Sequence, residues 1–180
     1  MGMIILVDMD DVIVEFEKRV IELVLKQNHG EKDLFKKERK KFKLDEEYPE
    51  LKELIEEIKS QKELTENLEP IPGSIEALKE IKEMGHEVFI CTSPLAKYEI
   101  SVLEKYKWVE KNFGHEWTKK IILTKDKTLI KGDILIDDNP EIHGLKDPEW
   151  EHIIFDRPYN KHVKNKKRLT WCNWKKVLNL

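Results

Sequence analysis

The sequence predicts an α/β protein with a Rossmann-like parallel sheet, helices on both faces and a small helical cap inserted after the first strand. Three observations predict it. Short, β-branched, uniformly apolar runs alternate with segments of helical period, the pattern of parallel strands joined by helical crossovers. Those runs end repeatedly in acidic or hydroxyl residues, and ligands in such sheets sit beyond the carboxyl ends of the strands. Between 31 and 68 charge crowds the chain and no strand-like run occurs.

The first strand is MIILVD at 3–8, continuous enough to be buried on both faces. Ile13, Phe16, Val20, Leu23 and Val24 then follow helical spacing, so a helix is expected over 13–29 with Gly30 as its stop. Pro49 opens a second periodic run through Leu51, Leu54, Ile55 and Ile58. The Pro-Ile-Pro-Gly turn at 70–73 returns the chain, and Ser74 is the expected N-cap of a helix carrying Ile75, Leu78 and Ile81 up to Gly85. A strand follows at 86–92, a helix at about 97–113, and strands at 119–124, 133–137 and 152–156. The tail places Trp171, Trp174 and Leu178 on one helical face, suited to core or dimer packing. The expected division is a core of 1–16 and 69–180 with a cap of 17–68, of which 31–68 is the charge-rich part.

A chain of 180 residues fits one core with a modest insertion. Its 33 basic and 36 acidic side chains nearly cancel to −3, so no whole-protein field favours a nucleic acid polymer or a membrane. The run at 164–168 is locally basic and reads as a solvated surface. No apolar run approaches the roughly 20 residues that cross a bilayer. Cys91 and Cys172 lie far apart and form neither a disulfide framework nor a metal-spaced pair, so a cytoplasmic protein is expected.

The chemistry is expected at the strand ends. Asp8, Asp10 and Asp11 follow the first strand, Thr92 and Ser93 the second, Lys127 the third, and Asp137 and Asp138 the fourth. In a parallel sheet these ends share one side. Clustered carboxylates need a cation, and oxygen-only donors favour a hard one, Mg²⁺. An Asp can then act as a nucleophile toward phosphorus while Thr92 and Lys127 hold phosphoryl oxygens. A second Asp two residues on can protonate the leaving oxygen. Neither GxxxxGK[ST] nor GxGxxG occurs, so no P-loop or dinucleotide fingerprint competes.

This arrangement resembles the haloacid dehalogenase-like phosphohydrolases. The blocks VDMDDVIVEFE, LEPIPGSIEALKE, FICTSPL, EKYKWVEKNFG, ILTKDKT and ILIDDNP with WEH after it are, in order, closely similar to the 5′(3′)-deoxyribonucleotidase family of that superfamily. The resemblance implies a Mg²⁺-dependent hydrolase of deoxyribonucleoside monophosphates that works through an aspartyl-phosphate. It implies Asp8 as nucleophile and Asp10 as acid and base, with Asp8, the Asp10 carbonyl and Asp138 holding the metal. Asp137 would orient its neighbours. Thr92, Ser93 and Lys127 would bind phosphate, with Lys125 assisting, and Phe16 would either pack on the nucleoside or be plain core. A homodimer is implied as well.

The sequence departs from the family in three places. Asp11 stands where the family has Gly, adding a charge at a position that favours positive φ. The expected nucleoside pocket offers Phe42, Lys43 and Leu44, then Lys59, where the family tends to use aromatics. Ala96 precedes Lys97 where a lysine usually follows TSPL directly. The alternatives are a phosphatase of the same fold for another small phosphomonoester and a catalytically silent or redesigned scaffold. A phospho-receiver domain fits poorly, because no strand-like run between 31 and 85 ends in Asp.

Overall fold

The structure is a computed structural model that describes residues 2–27, 35 and 39–180. Six strands form one sheet, all parallel: β1 Ile4–Val7, β2 Glu87–Thr92, β3 Ile121–Leu123, β4 Ile134–Asp137, β5 Glu151–Phe155 and β6 Arg168–Leu169, in the order β3-β2-β1-β4-β5-β6. The α/β, Rossmann-like class is as expected. Among the described residues seven α-helices accompany it: α1 Phe16–Gln27, α2 Leu44–Glu47, α3 Lys52–Lys59, α4 Ser74–Glu83, α5 Tyr98–Phe113, α6 His115–Thr118 and α7 Trp174–Leu178. No described helix is long and apolar enough to cross a membrane.

Alternate strand residues feed two cores. Ile5, Val7, Ile90, Ile134 and Ile136 join helical residues such as Val20, Leu78, Val109 and Leu178 in the larger cluster. Leu6, Cys91 and Leu135 point the other way and are closed by Trp150 with Ile130 and Ile142, from connecting segments rather than α-helices. The second face is therefore covered more thinly than the strand pattern suggests. Ile5, Leu6 and Val7 are fully buried. At roughly 1.5–3 kcal/mol for each such side chain, β1 anchors the loop that follows it.

Two local expectations change, at the start of the first helix and at Ser74. The first helix begins at Phe16, not Ile13, because the Met9 carbonyl accepts from the backbone N–H groups of Val12, Ile13 and Val14 in a tight loop. Ile13 and Val14 are core residues of that loop, so their burial imitates a helical period. The expected end of that helix, at His29 with Gly30 as stop, lies outside the described residues. Ser74 is the first residue of α4 and not its cap; its hydroxyl donates to the Ile13 carbonyl at 3.0 Å, while Gly73 at φ 83° turns the chain. The basic run at 164–168 ends in β6, where Arg168 donates to Asp156 at 2.6 and 2.9 Å.

The return from the inserted helices passes through a narrow neck. Glu15 N–H donates to Glu69 O at 2.9 Å and Ile71 N–H to Ile13 O at 2.8 Å, flanking a Val14–Pro70 bridge. Trp171, buried in the larger core, braces the same loop by donating from Nε1 to the Val12 carbonyl at 2.7 Å. Core packing is thus the task of the tail tryptophans.

Candidate active site

Register places the chemistry. Val7 pairs with Ile90 on one side and Ile136 on the other, so Asp8 emerges beside Asp137, the last residue of β4. Thr92 closes β2 one step further, opposite Leu123. Lys127 follows β3 in a short 3₁₀ turn whose N-cap, Asp126, accepts from Thr128 N–H. Four adjacent strands therefore deliver their polar ends to one place.

Lys127 Nζ lies 2.5 Å from Asp8 Oδ1 and 2.5 Å from Asp137 Oδ2. Burial works against this ammonium, yet Asp137 and Asp8 overcome it and hold its pKa above the ordinary lysine value. Asp8 moves upward through burial, with Lys127 opposing. Asp138 is pushed well up by burial and then by the charges of Asp137 and Asp8. Carboxylate oxygens of Asp8, Asp137 and Asp138 all lie within 4.8 Å of one another. Three buried acids in mutual repulsion, with oxygen as the only donor, suit a hard divalent cation.

The Asp10 carboxylate faces elsewhere. It accepts from Lys105 Nζ at 2.8 Å through both oxygens, and the same ammonium donates to Thr92 Oγ1 at 3.1 Å. Its pKa is raised by burial against the pull of Lys105, the direction required of a proton donor. Cys91, next to Thr92, is no rival nucleophile, since burial pushes its thiol up to about 12.

Asp11 adopts φ 59°, the left-handed conformation expected at this position from the family resemblance. Its carboxylate accepts from the Glu17 N–H at 3.1 and 3.2 Å in the first turn of α1. Burial raises its pKa to about 7, although Arg157 lies 3.6 Å away.

Above these groups opens a cavity of about 470 Å³. Phe16, Phe42, Lys43, Leu44, Ser93 and Lys125 all line it, as do Asp8, Asp10, Thr92, Lys127, Asp137 and Asp138. Ser93 Oγ donates to the Thr124 carbonyl at 2.9 Å and Lys125 Nζ to the Pro94 carbonyl, so both tie the β2 and β3 loops together. Lys43 pairs with Glu46 at 2.8 Å and is mostly exposed. Lys59 pairs with Asp45 at 2.8 Å and is more enclosed.

Sequence reasoning missed Lys105, Tyr159, Arg39 and Arg157. Lys105 had a readable signal: Ser101, Glu104, Lys105, Trp108 and Val109 form the buried stripe of α5, so two charged residues stand on an apolar face. Glu104 anchors the segment after α3 by accepting from Glu63 N–H at 2.6 Å and Thr65 N–H at 2.8 Å. Asp137, read as an orienting residue, belongs to the converging acids itself.

A parallel sheet with acids after its first strand and an acidic pair after its fourth places the chain among the α/β hydrolases of the haloacid dehalogenase-like class. A haloacid dehalogenase-family hydrolase of Deinococcus radiodurans, solved with bound phosphate and sodium, has the same fold at TM-score 0.61 and 12% identity, over 98% of this chain and 95% of that one. The family described as 5′ nucleotidase, deoxy (pyrimidine), cytosolic type C matches residues 2–180, and the chain belongs to it. A Bordetella bronchiseptica protein provisionally named a 5′(3′)-deoxyribonucleotidase is 45% identical over 98% of this chain and 95% of its own. The human cytosolic-type 5′(3′)-deoxyribonucleotidase is 37% identical over 97% of this chain and 92% of its own.

Proposed function

We propose that the protein is a Mg²⁺-dependent 5′(3′)-nucleotidase that hydrolyses deoxyribonucleoside monophosphates to deoxyribonucleoside and phosphate. The observation that carries this reading is the placement of Asp8, held by Lys127, between the acidic pair and the Lys105-bound Asp10, under a cavity roofed by Phe42 and Leu44.

Asp8 attacks phosphorus through a carboxylate oxygen; the phosphorus–ester oxygen bond breaks as Asp10 gives its proton to the departing oxygen. Asp10 then takes a proton from water, whose oxygen attacks the phosphorus, and the bond to Asp8 breaks to release phosphate. Thr92 and Lys127 hold phosphoryl oxygens through a hydroxyl and a charge-assisted bond. Lys105 fixes the Asp10 carboxylate by both oxygens. Asp8, the Asp10 carbonyl and Asp138 would hold Mg²⁺, with Asp137 beside them, and the ion when bound offsets the repulsion between Asp8 and phosphate. Residues 17–68 would form the cap that selects the nucleoside, with Phe42 from the cap and Phe16 from the core as the apolar surfaces. The reading includes a cytoplasmic location and a homodimer, the latter checked by sedimentation.

The test is phosphate release from a panel of nucleoside and sugar monophosphates with Mg²⁺ and with excess EDTA. Turnover of deoxyribonucleotides that EDTA abolishes is expected. Preference for a sugar phosphate, or full activity in EDTA, would replace this function with the same-fold alternative or remove the metal from it.

A further inference from the structure

Tyr159 stands where the cap meets the converging acids. The Pro158–Asn160 turn fixes it: Asn160 Nδ2 donates to the carbonyls of Asp138 and Phe155, each at 2.8 Å, and Asn160 Oδ1 accepts from Arg157 N–H at 3.1 Å. The side chain is 3% exposed, and its hydroxyl donates to Oδ2 of Asp138. Its ring meets two groups from the cap. The Arg39 guanidinium carbon lies 4.1 Å from the ring centroid, and the Phe42 ring stands edge-on at 5.8 Å and 65°. Arg39 in turn fastens its own segment, donating from Nε to the Lys41 carbonyl at 2.6 Å and from a terminal nitrogen to the Phe42 carbonyl, and pairing with Glu17 on α1. One aromatic residue thus touches the nucleoside wall with its ring and a candidate metal ligand with its tip.

We propose that Tyr159 is a positioning residue that couples closure of segment 39–44 to cation binding at Asp138, an inference that rests on the metal role assigned to Asp138 above. Donation to one carboxylate oxygen fixes the torsion of Asp138 and leaves the other oxygen for the cation. Outer hydrogen bonds of this kind set metal affinity through ligand orientation. The cation over the ring holds the ring, and with it the hydroxyl, only while segment 39–44 is seated. Linkage then requires the reverse effect: bound Mg²⁺ stabilises the seated cap.

The experiment measures Mg²⁺ binding to the nucleotide-free protein by titration calorimetry for the wild type, Tyr159→Phe, Arg39→Lys and the double variant, with circular dichroism melts as the folding check. Tyr159→Phe should weaken Mg²⁺ by about tenfold or more, within the range typical of outer-shell partners. Arg39→Lys should weaken Mg²⁺ at least about twofold when Tyr159 is present and have no effect when it is absent, the signature of a contact acting through the ring. In turnover, the Mg²⁺ concentration for half-maximal rate should rise while kcat at saturating Mg²⁺ largely recovers. Unchanged or tighter Mg²⁺ binding by Tyr159→Phe, an equal Arg39→Lys effect in both backgrounds, or no Mg²⁺ binding by the wild type would each overturn the proposal. Should Tyr159→Phe lose its cooperative melt, Arg39→Lys decides alone, and unchanged affinity overturns the coupling. Failure of the nucleotidase reading is distinguishable, because phosphate release would be missing while the Mg²⁺ shifts persisted.

Discussion

On the strand-end wall of the cavity, the side chains of Asp8, Lys127 and Asp137 are 10%, 9% and 3% exposed and share two contacts of 2.5 Å. On the wall contributed by the inserted segment, the cap wall of the proposed function, Lys43 and its partner Glu46 behind it are 60% and 53% exposed across a contact of 2.8 Å. Pairs like the second contribute about 0.2–1 kcal/mol, whereas removing one partner of a buried pair costs about 3–5 kcal/mol by stranding the other charge. The strand-end wall is therefore the more tightly held of the two, and under the proposed function substitutions there should act on chemistry or on folding. The opposite wall rests on short helices, where under the proposed function a changed side chain should shift nucleoside preference and leave the rest intact.

The largest effect should come from Asp8→Asn. The amide keeps the shape of the carboxylate and loses its nucleophilic oxygen, so turnover should vanish while the thermal melt stays cooperative. Appreciable phosphate release by the pure variant would remove Asp8 from the nucleophile's role. Asp10→Asn should follow with a loss of about 10²–10⁴ in kcat, the usual share of a positioned acid and base. A rate close to the wild type's would transfer proton handling to another group.

Lys105 probes the same wall through stability. Lys105→Met leaves the Asp10 carboxylate without the ammonium that binds both its oxygens, and should cost about 3–5 kcal/mol in urea unfolding. Combined with Asp10→Asn the cost should shrink, because no stranded charge remains. Strictly additive losses would show that Lys105 serves Thr92 or the helix packing and not Asp10.

The two walls also differ in what could be read from residues alone. Asp8, Thr92, Asp137 and Asp138 were legible because uniformly apolar strands end abruptly in them, and parallel pairing forces such ends together. Lys127 stood out through its block, since a lysine after a short strand carries no local mark. Tyr159 and Arg39 were hidden for a physical reason. Each acts across more than a hundred residues or between cap and core, through contacts that follow no helical or strand period. The tight loop of 9–14 was misread because hydrogen bonds to one carbonyl bury Ile13 and Val14 as thoroughly as a helix would. Among the described residues of the insertion, helix α3 was legible from the periodic run after Pro49, while the pairing of the charges was not.

Asp11 tests the border of the rigid wall by pH. Its folded pKa of about 7 lies above the ordinary 3.8, so the folded state keeps a proton that the unfolded chain has released between those values. Stability of the metal-free protein should therefore fall as pH rises from about 4 to 7 and level off above. Asp11 alone contributes up to about 4 kcal/mol, at roughly 1.4 kcal/mol per unit over about three units. Asp11→Asn keeps the acceptor toward Glu17 and tolerates the left-handed backbone. Relative to the wild type in EDTA, it should gain stability at pH 8 compared with pH 5. Equal differences in melting temperature at the two pH values would show that Asp11 is ionised throughout.

The smallest effects should lie in the cap. Phe16, Phe42 and Leu44 line the cavity and under the proposed function would give the nucleoside an apolar slot, in which each group a base lacks is worth only about 1–3 kcal/mol. Values of kcat/KM for dUMP, dTMP, dGMP and dAMP should accordingly fall within about a thousandfold of one another, some 4 kcal/mol at 1.4 per decade. Lys59 is the more enclosed of the two cap lysines that line the cavity: its pair with Asp45 is 25% and 17% exposed. Lys59→Ala removes a donor that could favour bases with a carbonyl acceptor, and should shift the dTMP-to-dAMP ratio by about tenfold or less, the value of one neutral to charge-assisted hydrogen bond. Lys43→Ala, at an exposed pair, should leave that ratio unchanged. A single base preferred by more than a thousandfold, or a ratio that answers to Lys43 and ignores Lys59, would mean that the cap wall is as rigidly specified as the strand-end wall.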